Sequence, residues 1–275
     1  MATNAETVNG SLPREMMQHT YAILYALEES HWWHIGRRRI IGSFVKEICE
    51  QVTDRTPRIL DVGCGTGGNL KLLSQFGNAE GVDISTDALA FCRERGLEVK
   101  AGAAEDLPYE DANFDLVTAL DVVEHLDDDV AGLREMRRVL RPGGRLLIFV
   151  PTFMWLWGVQ DDISHHRRRY RLPALRRAVI EAGFEVERTT YANITFLPPT
   201  FLGRLFMRLT GIKPESEAHI NISALNPLFG RILGAEATFL RFMNFPIGVS
   251  GLCVARAGSS PRGVVASEGA NTSRQ

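Results

Sequence analysis

Apolar positions along this chain alternate between two spacings. Continuous apolar runs at 58–62, 79–84, 114–120, 145–150, 184–192 and 247–256, with a shorter one near 97–101, predict buried strands. Between them, 68–76, 86–96, 127–141 and 173–182 carry apolar residues at helical spacing, and the last of these stops at Gly183. Strand and helix in this rhythm predict right-handed βαβ units and a parallel sheet with helices on both faces. Two helical stretches, 14–29 and 36–52, precede the first strand and join through 31–36. Two more, 197–211 and 225–243, follow the sixth strand, separated by a polar loop around Lys213–His219. The stretch 152–171 is irregular, aromatic and basic.

This pattern divides the chain into a polar lead at 1–13, one α/β domain at 14–257 and a Gly/Ser/Ala-rich tail at 258–275, both ends expected to be disordered. Within the domain, 14–52 is a helical cap and 196–245 a helical insertion, together forming lid elements. At 275 residues and 45% hydrophobic, the chain can bury a full core. A net charge of −2 gives no general attraction to nucleic acid or an anionic membrane. The four cysteines are scattered and no histidines cluster at ligand spacing, so a reduced, metal-free, cytoplasmic protein is expected. No apolar run is long enough to span a bilayer, and the first residues lack a signal-peptide pattern.

The chemistry concentrates at Ile59-Leu60-Asp61-Val62-Gly63-Cys64-Gly65-Thr66-Gly67. A strand ends there, and Gly63, Gly65 and Gly67 let the backbone turn and approach a ligand closely. The helix that follows directs its first amides at the loop. Asp83, closing the next strand beside Ile84, is placed to accept ribose hydroxyls; its plainer role as a helix cap is better filled by Ser85. Gly63-x-Gly65-x-x-Gly68 also satisfies the dinucleotide fingerprint. Asp61 argues against it, since a carboxylate there repels a pyrophosphate and attracts an amino group or sulfonium.

Further on come Gly102-Ala103-Ala104-Glu105-Asp106-Leu107-Pro108, then Phe114 to Leu126, then Leu140-Arg141-Pro142-Gly143-Gly144. With these in order, the chain resembles the class I S-adenosylmethionine (SAM)-dependent methyltransferases, close to the small-molecule branch that includes quinone methyltransferases. The resemblance implies a Rossmann-like, doubly wound, mostly parallel seven-stranded sheet whose last strand is antiparallel, and it implies SAM as cofactor. It carries cofactor contact onto Asp61, Gly63, Cys64, Gly65, Gly67, Asp83, Ile84, Asp121 and Val122. Where the family usually has an acidic or polar residue after the glycine at 102, this chain has Ala103, so the adenine contact passes to the Ala104 backbone or to Glu105. His125 is either a general base or, with Glu124, a residue that shapes the pocket.

Asp161-Asp162-Ile163-Ser164-His165-His166-Arg167-Arg168-Arg169-Tyr170 is similar to a D-x-x-x-G-H-x-R-R-Y pattern in a group of bacterial methyltransferases, with His165 in the place of the glycine. Glu29-Ser30-His31-Trp32-Trp33 with Arg37-Arg38, and Pro246 to Ser250, match the same group, which implies no particular substrate. The catalytic candidates are His166, Tyr170 and His125; imidazole titrates near neutral pH and suits a base. Arg168 and Arg169 can clamp an anionic acceptor, or can pin the loop to Asp161 and Asp162. Trp32, Asp161, His165, Arg168 and Arg169 are the substrate-side candidates; Trp33 and Arg38 are assigned to the cofactor. The apolar stretch 196–212, broken by Arg204 and Arg208, is a lid helix, a wall for an apolar substrate, or a contact with a membrane surface.

These observations favour methyl transfer to a small-molecule acceptor by a monomer or homodimer. The basic run Arg167–Arg171 motivates RNA or DNA methylation as an alternative. Leu120-Asp121-Val122 lacks the Asn-Pro-Pro-Tyr type used to hold a flipped base, and no nucleic-acid partner is expected. A SAM-binding protein without methyl transfer is the third reading.

Overall fold

In the computed structural model, the described residues are 18–212 and 223–258; the expected disordered ends and the loop at 213–219 lie outside them or at their margin. Seven strands form one sheet: β1 (Arg58–Val62), β2 (Asn78–Asp83), β3 (Val99–Ala101), β4 (Phe114–Leu120), β5 (Leu140–Pro151), β6 (Phe184–Ala192) and β7 (Ser250–Ala257). Their order is β3-β2-β1-β4-β5-β7-β6. All pairs are parallel except those of β7, which runs antiparallel to both β5 and β6. The strand order reverses between β1 and β4, so their carboxyl ends open a crevice there.

Helices α1 (Gln18–Leu27), α2 (Trp32–Cys49), α3 (Gly68–Leu73), α4 (Thr86–Glu94), α5 (Asp129–Val139), α6 (Val159–Ile163), α7 (Leu172–Glu181), α8 (Leu197–Thr210) and α9 (Asn226–Leu240) complete the described chain. The core divides by sheet face. Leu133, Met136, Leu175 and Val179 pack on one face, and Ile40, Ile41, Phe44, Leu233 and Leu240 on the other.

Three local differences from the sequence reading have simple causes. The stretch 31–36 does not join two helices: His31 is extended and its ring accepts from the Trp33 amide, so α2 starts at Trp32. β5 begins at Leu140 because that residue already pairs with Phe114 before the Pro-Gly-Gly turn resumes the ladder at Leu116↔Arg145. Within 152–171, a 3-10 turn at Met154–Leu156 and α6 give the aromatic and basic loop its own framework.

The helical insertion leaves the sheet after Ala192 and returns at Ser250, two residues that face each other across β6 and β7. Its α9 lies tightly on α2. A Cβ at Gly36 would fall 2.6 Å from the Leu233 Cβ, so the helices meet where one carries no side chain. By contrast, α8 has its polarity reversed. Arg204 is buried, while Leu202, Leu205, Phe206 and Leu209, at i, i+3, i+4 and i+7 on one face, are exposed, Leu209 by 78%.

Candidate functional site

The glycine loop leaves β1 with three left-handed residues, Gly63 (φ 65°), Gly65 (φ 54°) and Gly67 (φ 87°). Gly63 is constrained twice, since a Cβ there would also fall 2.5 Å from Val122. Asp83 holds the loop from β2: one carboxylate oxygen accepts from the Gly65 amide at 2.8 Å and the other from the Ser85 amide at 2.9 Å. Burial raises the Asp83 pKa against these hydrogen bonds. Ser85 caps α4, as the sequence reading assigned.

A cavity of about 610 Å³ opens over this loop, a size ordinary for a small-molecule or cofactor site. Its wall includes Gly63, Cys64, Gly65, Asp83 and Ile84, and, from the next crossover, Ala104 and Glu105. Asp121 and Val122 line it at the end of β4, and Trp32, Trp33 and Arg38 from α2. His125, His166 and Arg169 also line it. The structure thus brings together most of the residues that the sequence offered for the site.

Some stand elsewhere. Asp61 does not line the cavity; it is buried beneath it, accepts from the Thr118 hydroxyl at 2.7 Å, and faces Thr118 across the β1–β4 ladder. Burial pushes its pKa up to about 7, with Thr118 and Arg37 opposing. Its influence on a cation above is therefore through space, and strongest when ionised. Gly67 caps α3 and faces Leu97 rather than the cavity.

Tyr170 and Arg168 stand off the cavity wall, in anchoring positions. The Tyr170 hydroxyl donates to Asp129, and burial followed by that hydrogen bond raises its pKa, so it is no proton acceptor near neutral pH. Arg168 reaches Asp129 at 3.2 Å and the Leu126 carbonyl at 3.0 Å, and its neighbour Arg167 reaches Asp127 at 2.6 Å. Arg167 and Arg168 thus strap the loop to residues 123–129, while Arg169 turns inward to Asp161. His165 is also off the cavity wall. Its φ of 53° is the left-handed conformation that a glycine would adopt freely.

Asp161 is fully buried and gathers the loop's polar groups. It accepts from Arg169 through both oxygens at 2.7 and 2.9 Å, from the Gly158 amide at 2.7 Å, and pairs with His166 Nδ1 at 2.8 Å. Arg204 of α8 lies 3.6 Å away. Burial would raise its pKa, but His166 and Arg169 hold it at about 2.

Three residues of the site escaped the sequence reading, and a fourth, Glu124, was read only as shaping the pocket with His125. Glu28, from the turn after α1, accepts from the Thr66 hydroxyl at 3.0 Å and from Arg95, and closes over the start of α3. Arg37 is buried on the cavity wall, 2.8 Å from Asp121, and its Nε has no hydrogen-bond partner among the described residues. Asp121 itself has φ 61°, a strained backbone for a non-glycine residue. Arg204 brings a cation from the insertion. Glu124 is fully buried, and burial and the nearby Asp121 charge raise its pKa well above the usual carboxylate range. For Glu124 a signal existed, a carboxylate flanked by Val122, Val123 and Leu126; for Arg37 it was the Arg37-Arg38 pair inside an apolar helix.

The sequence matches a family described as methyltransferase domain over residues 60–148. A fatty-acid O-methyltransferase from Mycolicibacterium smegmatis is 34% identical over 47% of this chain and 44% of its own length. A probable tRNA methyltransferase 9B from Bos taurus is 33% identical over 40% of this chain and 24% of its own length. The chain thus spans less than half the length of these curated relatives. Among solved structures, a putative methyltransferase from Haloferax volcanii, in complex with the Trm112 methyltransferase activator, aligns with a TM-score of 0.56. That alignment covers 89% of this chain and 97% of the other at 18% identity, and describes a shared fold.

Proposed function

We propose that this chain, whose residues 60–148 match a methyltransferase domain, is a class I SAM-dependent methyltransferase that transfers the SAM methyl group to a small, largely apolar acceptor held under α8. The observation that carries this reading is the single cavity wall shared by the glycine loop and Asp83 on one side and by His125, His166 and Arg204 on the other.

The residues fit the cofactor. A Cβ at Gly65 would meet nothing within 4 Å, so this stretch of backbone is open to a ligand. Asp83 spends one oxygen on each loop amide and keeps further lone pairs for the ribose hydroxyls. Ile84, Ala104 and Glu105 border the adenine end. The buried Arg37 Nε, with Arg38 and Trp33 beside it, suits the methionine carboxylate. SAM held there would supply an electrophilic methyl group on a sulfonium, with S-adenosylhomocysteine as the leaving group. The protein's part is alignment and exclusion of water.

The cavity as a whole also offers apolar lining to an acceptor. Leu24, Leu27, Trp32, Leu120, Ile163 and Val249 line the cavity. The outward stripe of α8 carries no acidic residue and ends near Arg208, which suits contact with an anionic lipid surface. No described helix is long and apolar enough to cross a membrane. Nucleic-acid methylation is weakened because Arg167, Arg168 and Arg169 are each matched by a carboxylate of the same chain.

The test is calorimetric titration with SAM, S-adenosylhomocysteine and NADH, followed by turnover on long-chain carboxylic acids, isoprenoid alcohols and RNA. Binding of the first two ligands and methylation of an apolar acceptor is expected. Binding of NADH alone, or methylation of RNA alone, overturns the reading.

A further inference from the structure

Three side chains converge beside the cavity, where His125 and His166 line the wall and Glu124 is buried next to them. Glu124 and His125 sit on a 3-10 turn at Val123–His125 after β4, and His166 comes from the loop that Arg167, Arg168 and Tyr170 strap to that turn. One ligand atom from each lies within 4.8 Å of the others.

Each group is oriented by a partner on its far side. His166 Nδ1 is fixed by Asp161 at 2.8 Å, which leaves Nε2 to face Glu124 at 4.0 Å. His125 is bonded through its ring to the Ser164 backbone, and its imidazole meets His166 edge-on at 4.7 Å. A carboxylate or carbonyl holding one imidazole nitrogen while the other points at a common spot is the usual support of a metal-ligating histidine. Glu124 supplies the independent observation. It is fully buried, and neither carboxylate oxygen has a hydrogen-bond partner among the described residues. The nearby carboxylates differ: Asp121 pairs with Arg37, and Asp161 with Arg169 and His166. A buried carboxylate without a partner is costly, and a cation at this point would satisfy it.

We propose that Glu124, His125 and His166 bind one divalent first-row transition-metal ion, with its remaining coordination positions open to the cavity. Two imidazoles and one carboxylate suit such an ion, whereas magnesium and calcium favour all-oxygen sites. Metal–nitrogen and metal–oxygen bonds are about 2.1 Å, so atoms no more than 4.8 Å apart close on an ion with shifts of under about 1 Å each. The open positions face the space assigned to the acceptor, which would then carry an oxygen donor such as a hydroxyl or carboxylate. That use rests on the methyl-transfer reading; the existence of the site does not.

The full-length chain, stripped with a chelator, is titrated with Co²⁺ alone by calorimetry and visible absorption. One ion per chain is expected in the wild type, with binding at least about tenfold weaker in Glu124→Gln and in His166→Asn. No binding in the wild type, or unchanged affinity in folded variants, overturns the proposal. If either variant fails to fold, ring signals of the seven histidines in the wild-type protein decide the matter. Co²⁺ must shift or broaden two of them most strongly; a uniform response or none overturns it. S-adenosylhomocysteine affinity is measured on the same samples. Its absence in the wild type would overturn the cofactor reading and leave the Co²⁺ result standing.

Discussion

The two ends of the cavity are built by different means. At the cofactor end, the shape comes from the main chain: strand ends, left-handed glycines and one carboxylate that accepts from two amides. At the acceptor end, it comes from side chains brought together over long separations, with Asp161 collecting His166, Arg169 and Arg204. A site made of backbone tolerates changes of side chain around it. A site made of paired buried charges does not, because each group is stable only while its partner remains.

That contrast can be broken most forcefully at Asp161. Replacing it with Ala leaves Arg169, His166 and the Gly158 amide without their shared acceptor, and should cost about 3–5 kcal/mol in denaturant unfolding. A loss under about 1 kcal/mol would mean that the acceptor end does not depend on the pair network.

Asp61 tests the cofactor end by pH. Its pKa rises on folding from 3.8 to about 7, so the folded state holds the proton more tightly. The stability this contributes is complete below the ordinary value and is lost as pH rises through about 7, a change on the order of 4 kcal/mol. Thermal unfolding of the wild type should therefore weaken from pH 5 to pH 8, and Asp61→Asn should flatten that decline. An equal decline in both proteins would place its origin elsewhere.

Asp83→Ala removes the acceptor of two backbone amides and, on the proposed reading, that of the ribose. SAM affinity should fall about 30-fold, equivalent to about 2 kcal/mol, while affinity for the Co²⁺ probe stays the same. Loss of both together would show that the ends are not independent. The smallest effect is at His165, whose left-handed backbone suits glycine: His165→Gly should stabilise the fold by about 1 kcal/mol, read as a higher Tm. A lower Tm would show that the imidazole contributes more than the strain costs.

Strand positions and the glycine loop were legible because they depend on neighbours close in sequence or on one βαβ unit. Arg37 and Glu28 were not, because their partners Asp121 and Arg95 lie 84 and 67 residues away and are chosen by the packing of the cap on the sheet. The basic run 167–171 was misleading for the same reason. Its charge is conspicuous in sequence, and only the fold reveals that Asp127, Asp129 and Asp161 pair with Arg167, Arg168 and Arg169. Expecting no metal followed from the lack of histidines at ligand spacing, yet His125 and His166 are neighbours at 4.7 Å.

The meeting of Ala192 and Ser250 across β6 and β7 gives the roof an interchangeable character. A segment that departs and returns at adjacent points can be swapped for one of different length without shifting the strands below it. Chimeras that exchange residues 193–249 between such enzymes would then trade acceptor preference as a cassette, provided the incoming helix offers a smooth partner to α2 at Gly36.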